Sequence, residues 1–306
     1  MDNVRNLAGP EYARCALLVM YAWDMCDAKL DPASDDLDAR IKADGWTVVG
    51  IITGADDIVA SSPVGIRRPM IRPSTDADRR RYGYLAKSDS NDTYVAVIRG
   101  TDGAEEWIDD FVFFAGRRPP LPGRVETGFA DIYFSMQYRA LGSTASKKLS
   151  DGIRGAVGAA EVLVLGHSLG STLAEALAFE LADPAALGPT RVGAIMFASP
   201  KLGDHDFASG FDARLSNYTV MNYQHDVVPR VPPFDVTHFD IYRPLPYCFT
   251  ITDEMATAAI NSGDKGCCHH LIDYIAMLSP HEYARSQAGW TNDDTQCAKC
   301  VISLRG

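Results

Sequence analysis

The stretch EVLVLGHSLGS, Glu161 to Ser171, decides the fold. Its first part is apolar and of strand length, as expected for a strand buried in a parallel sheet. It runs through G-H-S-L-G, Gly166 to Gly170, into STLAEALAFELA, a helical segment without a breaker. A strand, a serine between two glycines and a helix together form a nucleophile elbow. The chain doubles back closely in such a turn, so the residues beside the serine must be small. The alternative is an ordinary strand–helix joint with a surface serine at Ser168.

The composition narrows the classes of partner. The chain has 306 residues, 46% of them apolar, and a net charge of −11. Because an acidic surface repels phosphate backbones, we expect no nucleic acid partner. The charge does not exclude neutral lipid or ester substrates. No apolar run reaches the roughly 18 residues that a transmembrane helix needs. The early run CALLVMYAW lacks a basic leader, so we expect a first helix packed on the core and a cytoplasmic protein, with export without a cleaved leader left open.

Strand-like and helix-like segments alternate along the chain. This alternation predicts an α/β fold with a mainly parallel central sheet and helices on both faces. No repeat, linker or low-complexity tract marks a boundary, so we expect one domain over residues 1–306. The predicted strands are WTVVGIITG, RYGYLAKS, DTYVAVIRG, EVLVLG, RVGAIMFASP and NYTVMNYQHD, and the predicted helices are residues 11–29, GFADIYFSMQYRAL, STLAEALAFELA and, as the last one, LIDYIAMLS.

An acidic residue that could support the serine should follow a later strand of the sheet. The segment TVMNYQHDVVPRVPP fits, because a strand leads to Asp226 and then to a proline-rich turn. Asp235 and Asp240 lie in an irregular stretch and are less well placed. The alternative for Asp226 is a solvated turn residue.

Four histidines follow Asp226. His238 lies in a possible strand, and His281 lies at an exposed helix start. The segment CCHHLIDYIAML places His269 and His270 at the start of a helix. Adjacent residues there point in different directions, so only one of the two can contact both the serine and the acid. Spacing alone does not decide which.

Taken together, these segments resemble the class 3 lipase family, which includes the fungal triacylglycerol lipases. In the family the histidine commonly precedes a tyrosine by five residues, an offset that selects His269, with Tyr274 as the tyrosine. The resemblance implies an α/β-hydrolase fold and a serine carboxylester hydrolase that cleaves acyl esters of lipids, without metal or cofactor. It covers about residues 90–278 through VAVIRGTDGAEEWIDDF, VLVLGHSLGS, FASPKLGD, VMNYQHDVVPRVPP and HHLIDYIAML.

The resemblance also implies roles for the matching residues. Ser168 would be the nucleophile, His269 the general base and Asp226 the acid that orients it. The same triad would serve a triacylglycerol lipase, a phospholipase A1, a short-chain esterase or an acyltransferase. A silent binding protein that keeps the fold is a further alternative.

The resemblance further implies an oxyanion hole and a lid. The backbone N–H groups of Thr101 and Leu169 would hold the oxyanion, and Asp110 matches the aspartate that orients the hydroxyl at the Thr101 position. An apolar lid at about residues 102–118 would cover the acyl groove in water and open at a lipid–water interface. The alternative is a core-packed helix, expected most for Phe113 and Phe114. The apolar lid residues are Trp107, Ile108, Phe111 and Val112.

Two features depart from the family pattern. Glu126, in ETGF, stands where the family often has a histidine, and we expect no effect on the chemistry. The tail at about residues 279–306 has no counterpart. For its cysteines and those of the histidine loop we expect unligated thiols, with a tail-to-loop disulfide and a four-cysteine zinc site as alternatives. The four cysteines are Cys267, Cys268, Cys297 and Cys300.

Overall fold

A nine-stranded mixed sheet organises the part of the chain that the structure describes. The structure is a computed structural model, and it describes residues 2–27, 30–31, 33–55, 79–100, 113–232, 241–288 and 299–305. The strands of this sheet are β1 (Trp46–Ala55), β2 (Arg79–Ser88), β3 (Thr93–Ile98), β6 (Gln137–Ala140), β7 (Ser146–Lys148), β8 (Glu161–His167), β9 (Val192–Phe197), β11 (Tyr218–Tyr223) and β13 (Cys248–Ile251).

The strand order β13-β11-β9-β8-β3-β2-β1-β6-β7 places β8 in the interior of the sheet. The strands β3, β8, β9, β11 and β13 run parallel to one another. The remaining four strands pair antiparallel on the other side of β3. The elbow serine therefore follows an interior strand, at the carboxyl edge where parallel strands bring their following loops together.

Helices cover both faces of the sheet, as the alternation predicts. Consecutive residues of β8 show the two layers, because Val164 packs in one hydrophobic cluster and Leu165 in the other. The helices are α1 (Gly9–Asp27), α2 (Ala39–Ala43), α3 (Thr127–Ser135), α4 (Leu149–Val157), α5 (Leu169–Leu181), α6 (His205–Arg214), α7 (Lys265–His269), α8 (Leu271–Leu278) and α9 (Pro280–Ala288). None of the described helices combines the length and the apolar character that a bilayer crossing requires.

Short strands form two smaller sheets. One sheet has the order β12-β10-β5-β4, and the other pairs β14 with β15. Their strands are β4 (Ala115–Gly116), β5 (Val125–Glu126), β10 (Gly203–Asp204), β12 (Tyr242–Arg243), β14 (Ala258–Ile260) and β15 (Val301–Leu304).

The structure corrects two helix predictions. The helix predicted over GFADIYFSMQYRAL ends at Ser135, and Gln137–Ala140 pairs antiparallel with β1 instead. The ring of Tyr138 lies against Gly50 in that pairing, where a side chain would leave no room. Helical spacing could not reveal this cross-strand contact. The segment LIDYIAMLS is not the last helix, since α9 follows it with His281 exposed near its start.

The C-terminal segment is tied to the histidine loop by a disulfide between Cys267 and Cys300. The prediction of unligated thiols is therefore wrong for these two residues, and their bonded sulfurs exclude the four-cysteine zinc site. Cys268 is a buried free thiol, and Cys297 lies outside the described residues. The β14–β15 pairing brings the tail beside the loop, a long-range contact that cysteine spacing does not encode.

Candidate active site

Ser168 has the backbone geometry of an elbow residue. It lies between β8 and α5 with φ 57° and ψ −132°, a conformation that costs free energy for any residue other than glycine. Its N–H donates to the carbonyl oxygen of Phe197 on the neighbouring strand at 2.9 Å, which holds the turn against the sheet. The tertiary structure maintains a strained serine at the carboxyl edge, as the motif predicts.

The two motif glycines allow the close approach that the elbow requires. A Cβ on Gly166 would lie 2.4 Å from the carbonyl oxygen of Gly170. A Cβ on Gly170 would lie 2.3 Å from the carbonyl oxygen of Arg99. Both distances are far below van der Waals contact with backbone atoms, so neither position accepts a larger residue without a shift of the backbone.

Ser168, His269 and Asp226 form one hydrogen-bonded line. The hydroxyl of Ser168 lies 2.8 Å from Nε2 of His269. Nδ1 of His269 lies 2.9 Å from Oδ2 of Asp226. All three residues are buried. A neutral imidazole that donates from Nδ1 to the carboxylate accepts the serine hydroxyl at Nε2, which is the tautomer that removal of the serine proton requires.

Asp226 is held by three donors. Oδ1 accepts from the N–H of Val228 at 2.9 Å, which fixes the carboxylate within its own turn. Oδ2 accepts from His269 and from the hydroxyl of Tyr274 at 2.8 Å. The carboxylate is therefore an oriented, buried group and not a solvated turn residue. The competing candidates Asp235, Asp240 and His238 lie outside the described residues.

The two adjacent histidines take different positions. His269 ends the short helix α7, whose start is capped by Asp264 through the N–H groups of Gly266 and Cys267. His270 lies one residue further, before α8, with 36% of its side chain exposed. The helix geometry turns only His269 toward Ser168.

A comparison with known families agrees with this geometry. Residues 95–236 match the family model described as lipase (class 3), a range that contains Ser168 and Asp226. This part of the chain is therefore similar to the class 3 lipase family. His269 lies beyond the matched range, so its place in the triad rests on its contacts.

Similar proteins include a lipase and a phospholipase A1. A lipase from Rhizomucor miehei is 28% identical over 203 residues, which cover 65% of this chain and 54% of the relative. A phospholipase A1 EG1 from Oryza sativa subsp. indica is 26% identical over 249 residues, covering 72% of this chain and 57% of the relative. The chain therefore spans little more than half the length of these relatives.

The solved structure of the Rhizomucor miehei triacylglyceride lipase shares the fold. It superimposes with a TM-score of 0.57 at 20% sequence identity, over 79% of each chain. This likeness shows that the chain has the α/β-hydrolase fold.

One side of the predicted oxyanion hole lies among the described residues. Leu169 is the first residue of α5, and the first N–H groups of a helix have no intrahelical acceptor. Gly100 lies beside the serine, because a Cβ on it would be 3.0 Å from Cβ of Ser168. The turn that leads to Thr101 therefore starts next to the nucleophile. Thr101 and Asp110 lie outside the described residues, and their roles stay predictions.

The described end of the predicted lid segment, residues 113–118, packs against α3 and β5. Trp107, Ile108, Phe111 and Val112 lie outside the described residues, so the lid stays a prediction. Phe113 packs edge-to-face on Phe129 of α3, as the core-packing alternative expects. Phe114 is 45% exposed, so the same expectation is wrong for it. A short strand, and not a helix, follows these two residues, because Ala115–Gly116 pairs with β5.

Glu126 has a structural place at this end of the lid segment. It caps helix α3 by accepting from the N–H of Phe129 at 2.7 Å, and it accepts from the N–H of Phe114 at 3.3 Å. Burial raises the pKa of Glu126 to about 7. These contacts join the lid exit to α3 and lie apart from the triad contacts, in line with the expectation that this position does not enter the chemistry.

His167, the residue before Ser168 in the elbow motif, contacts His269. Its Nε2–H donates to the carbonyl oxygen of His269 at 2.9 Å, and the two rings lie 4.9 Å apart. Burial holds the pKa of His167 well below its usual value, so this imidazole stays neutral beside its neighbour. The sequence offered no spacing that pairs these residues.

Two buried carboxyl groups near the site were also not singled out from the sequence. Burial raises the pKa of Glu175 to about 8, and Oε1 of this residue accepts from the Ser199 hydroxyl at 2.9 Å. Burial likewise raises the pKa of Asp273 to about 8. Asp273 could join His270 and Cys300 as a metal ligand by distance, but the Cys300 sulfur is already bonded to Cys267.

Proposed function

We propose that the protein is a serine carboxylester hydrolase of the lipase type that cleaves acyl esters of lipids. The observation that carries this proposal is the buried line of contacts from Ser168 through His269 to Asp226. This arrangement lowers the barrier to proton removal from the serine at the moment when it attacks a carbonyl carbon.

The proposed reaction has two halves. Ser168 Oγ bonds to the ester carbonyl carbon while His269 Nε2 takes the hydroxyl proton, and Asp226 stabilises the imidazolium that forms. The tetrahedral oxyanion is held by the N–H of Leu169 and the N–H of Thr101. His269 then gives its proton to the leaving alcohol as the C–O bond breaks. Water attacks the acyl-enzyme in the same way and releases the carboxylic acid.

Lipid esters are the proposed substrate class. The support is the match of residues 95–236 to the class 3 lipase model together with the similarity to the Rhizomucor miehei lipase. The apolar residues of the proposed lid favour long acyl chains over acetate. A phospholipase A1 activity is the second candidate, and the similarity to the rice phospholipase A1 EG1 favours it.

The test measures hydrolysis of p-nitrophenyl esters of increasing chain length, with and without an emulsified interface. We expect the rate to rise with chain length and to increase at the interface. Ser168→Ala should lower the rate about 10⁴-fold or more, as losses of triad members do. A fluorophosphonate probe should label wild-type protein and not the variant. Full activity of Ser168→Ala would refute the mechanism, and a preference for acetate without an interfacial increase would refute the lipid substrate.

A matched pair of variants tests the choice of base. We expect His269→Ala to lower hydrolysis about as much as Ser168→Ala does, because the two residues act as one unit. His270→Ala should retain activity within about threefold, since its side chain is 36% exposed and lies near Asp273, while His269 contacts Ser168. If His270→Ala loses activity and His269→Ala retains it, His270 is the general base.

Product analysis with an added alcohol acceptor separates hydrolysis from acyl transfer.

A further inference from the structure

A cavity lies away from the triad. Its volume is about 660 Å³, within the range of roughly 300–1,000 Å³ that ligand sites occupy. It lies between the N-terminal segment, β11, β13 and the end of α8, and none of Ser168, Asp226 and His269 lines it. Apolar side chains dominate its wall, among them Leu7, Met221, Tyr247, Ile251, Met255 and Met277.

Helix α8 separates this cavity from the catalytic histidine. The helix begins at Leu271, two residues after His269, and its last residues, Met277 and Leu278, line the cavity. At 1.5 Å of rise per residue the helix extends about 10 Å between the two places. The cavity is therefore separate from the triad of Ser168, His269 and Asp226.

Arg5 contributes a positively charged side chain to this mostly apolar wall. Its Nε donates to the carbonyl oxygen of Tyr218 at 3.2 Å, and its guanidinium carbon lies 3.0 Å from the ring centre of Tyr247. Its Nη2 is buried and has no hydrogen-bond partner among the described residues. The Arg5 side chain is partly exposed and lines the cavity, so its guanidinium places a positive charge there that an anionic ligand can pair with.

The other polar groups around the cavity have partners. The Tyr12 hydroxyl donates to the carbonyl oxygen of Val4, and the Thr257 hydroxyl donates to that of Ala276 at 2.8 Å. The thiol sulfur of Cys248 accepts from Asn222 at 3.0 Å. Arg5 is thus the charged group in this wall. Its positive charge favours a ligand with one anionic head group.

The rim of the cavity is apolar and open to solvent. Tyr247 is 45% exposed, Phe249 is 43% exposed and Met255 is 53% exposed. Exposed aromatic and thioether groups around a concave apolar wall suit a flexible alkyl chain. The site therefore combines one cation with a long apolar surface.

We propose that this cavity binds a long-chain fatty acid, with the carboxylate on the Arg5 guanidinium and the alkyl chain along the apolar wall. Arg forms strong charge-assisted hydrogen bonds to carboxylates, which assigns the head group to this end. The presence of the ligand near the protein rests on the proposed hydrolase function, which releases fatty acids, while the binding site itself does not depend on it.

The experiment separates this site from the proposed acyl-binding site beside Ser168. Wild-type protein is first labelled at Ser168 with a long-chain alkyl fluorophosphonate, which fills the acyl groove. Palmitate binding is then measured by isothermal titration and by displacement of a fluorescent fatty acid. We expect one equivalent to bind the labelled protein. Methyl palmitate should bind at least about tenfold more weakly, because it lacks the charged acceptor.

Two variants test the named residues in the same assay. Arg5→Gln removes the cation, and we expect it to weaken palmitate binding at least about tenfold. Met255→Trp narrows the rim at an exposed position and should weaken palmitate and methyl palmitate alike. Arg154→Gln is the matched control, since Arg154 lies on α4, away from the cavity, and it should bind palmitate as wild type does. Thermal melting checks that each variant is folded.

Three outcomes would overturn the proposal. If labelling at Ser168 abolishes palmitate binding, the ligand occupies the acyl groove. If Arg5→Gln, or Met255→Trp where Arg5→Gln does not fold, binds palmitate as wild type does, the cavity is not the site. If methyl palmitate binds as tightly as palmitate, the assigned head group is wrong. If the fluorophosphonate does not label the protein, the hydrolase proposal fails instead, and the same variants test palmitate binding on the unlabelled chain.

Discussion

The Tyr274 hydroxyl donates a hydrogen bond of 2.8 Å to Asp226 Oδ2, the carboxylate oxygen that also faces His269. The same hydroxyl accepts from the N–H of Tyr223, the last residue of β11, at 2.8 Å. One side chain on α8 thus joins the strand that leads to the acid and the acid itself. The orientation of the triad therefore depends on the packing of α8 against the sheet, and not on the elbow alone.

Tyr274→Phe should reduce both activity and stability. The carboxylate of Asp226 loses one of its donors and the N–H of Tyr223 loses its acceptor, so we expect the free energy of unfolding to fall by about 1–3 kcal/mol. The value of kcat/KM should fall about tenfold, because one bond that orients the acid is lost. Urea unfolding and ester hydrolysis measure the two effects.

Tyr242→Phe is the matched control for this variant. The hydroxyl of Tyr242 is buried without a hydrogen-bond partner among the described residues, so its removal should leave stability unchanged or raised. Wild-type activity and stability in Tyr274→Phe would show that the hydroxyl contributes nothing to the triad.

The elbow glycine Gly170 should not tolerate a methyl group. Its Cβ would lie 2.3 Å from the carbonyl oxygen of Arg99, so we expect Gly170→Ala to lower the free energy of unfolding by about 2 kcal/mol or more. Gly155→Ala is the control, because this exposed position in α4 has nothing within 4 Å of the added Cβ. That variant should gain about 0.5–1 kcal/mol from helix propensity. Equal stabilities of the two variants in urea would contradict the close packing of the elbow.

The disulfide should stabilise the region of the histidine. Cys267 and Cys300 are 33 residues apart in the sequence, and closing such a loop restricts the unfolded chain. We expect Cys300→Ser to lower the free energy of unfolding by about 2–4 kcal/mol. Because Cys267 precedes His269 by two residues on α7, hydrolysis should also lose heat resistance.

A comparison with and without a dithiol reductant checks this prediction. The reductant should lower the melting temperature of wild-type protein and leave that of Cys300→Ser unchanged. Cys248→Ser, at an exposed free thiol, should respond to the reductant as wild type does. A reductant effect of the same size on Cys300→Ser would argue against this bond as the source of the stability.

The buried carboxyl of Glu175 should make stability fall as the pH rises. Burial raises its pKa from 4.5 to about 8, so the folded protein holds a proton that the unfolded chain has already lost. The contribution of Glu175 is complete below pH 4.5 and is lost as the pH rises to about 8. Glu175→Gln does not titrate. We therefore expect its stability relative to wild type to increase by at least about 1 kcal/mol between about pH 5 and about pH 9.

Urea unfolding of both proteins across this pH range measures the difference. Glu254→Gln changes an exposed carboxylate and should follow the wild-type pH dependence. A constant difference between Glu175→Gln and wild type across the range would mean that Glu175 is ionised throughout.

Local patterns in the sequence determined the elbow, the central strands and the acid turn. Ser168 and its glycines were predictable because a tight strand-to-helix turn demands particular residue types at adjacent positions. Asp226 was predictable because it follows an apolar strand at the edge where parallel strands end. The pair His269 and Tyr274 could be chosen only through the family resemblance, since neighbouring residues at a helix end share the same local pattern.

Only the tertiary structure decided the features that join distant segments. The Tyr274 hydroxyl on Asp226, the Cys267–Cys300 bond and the antiparallel pairing of the segment around Tyr138 each depend on the path of the chain between the two partners. The cavity beside Arg5 likewise needs three separate elements to meet. Residue types and spacing specify local backbone geometry and its chemistry, whereas packing across the sheet selects which groups meet, and that selection has no local signature.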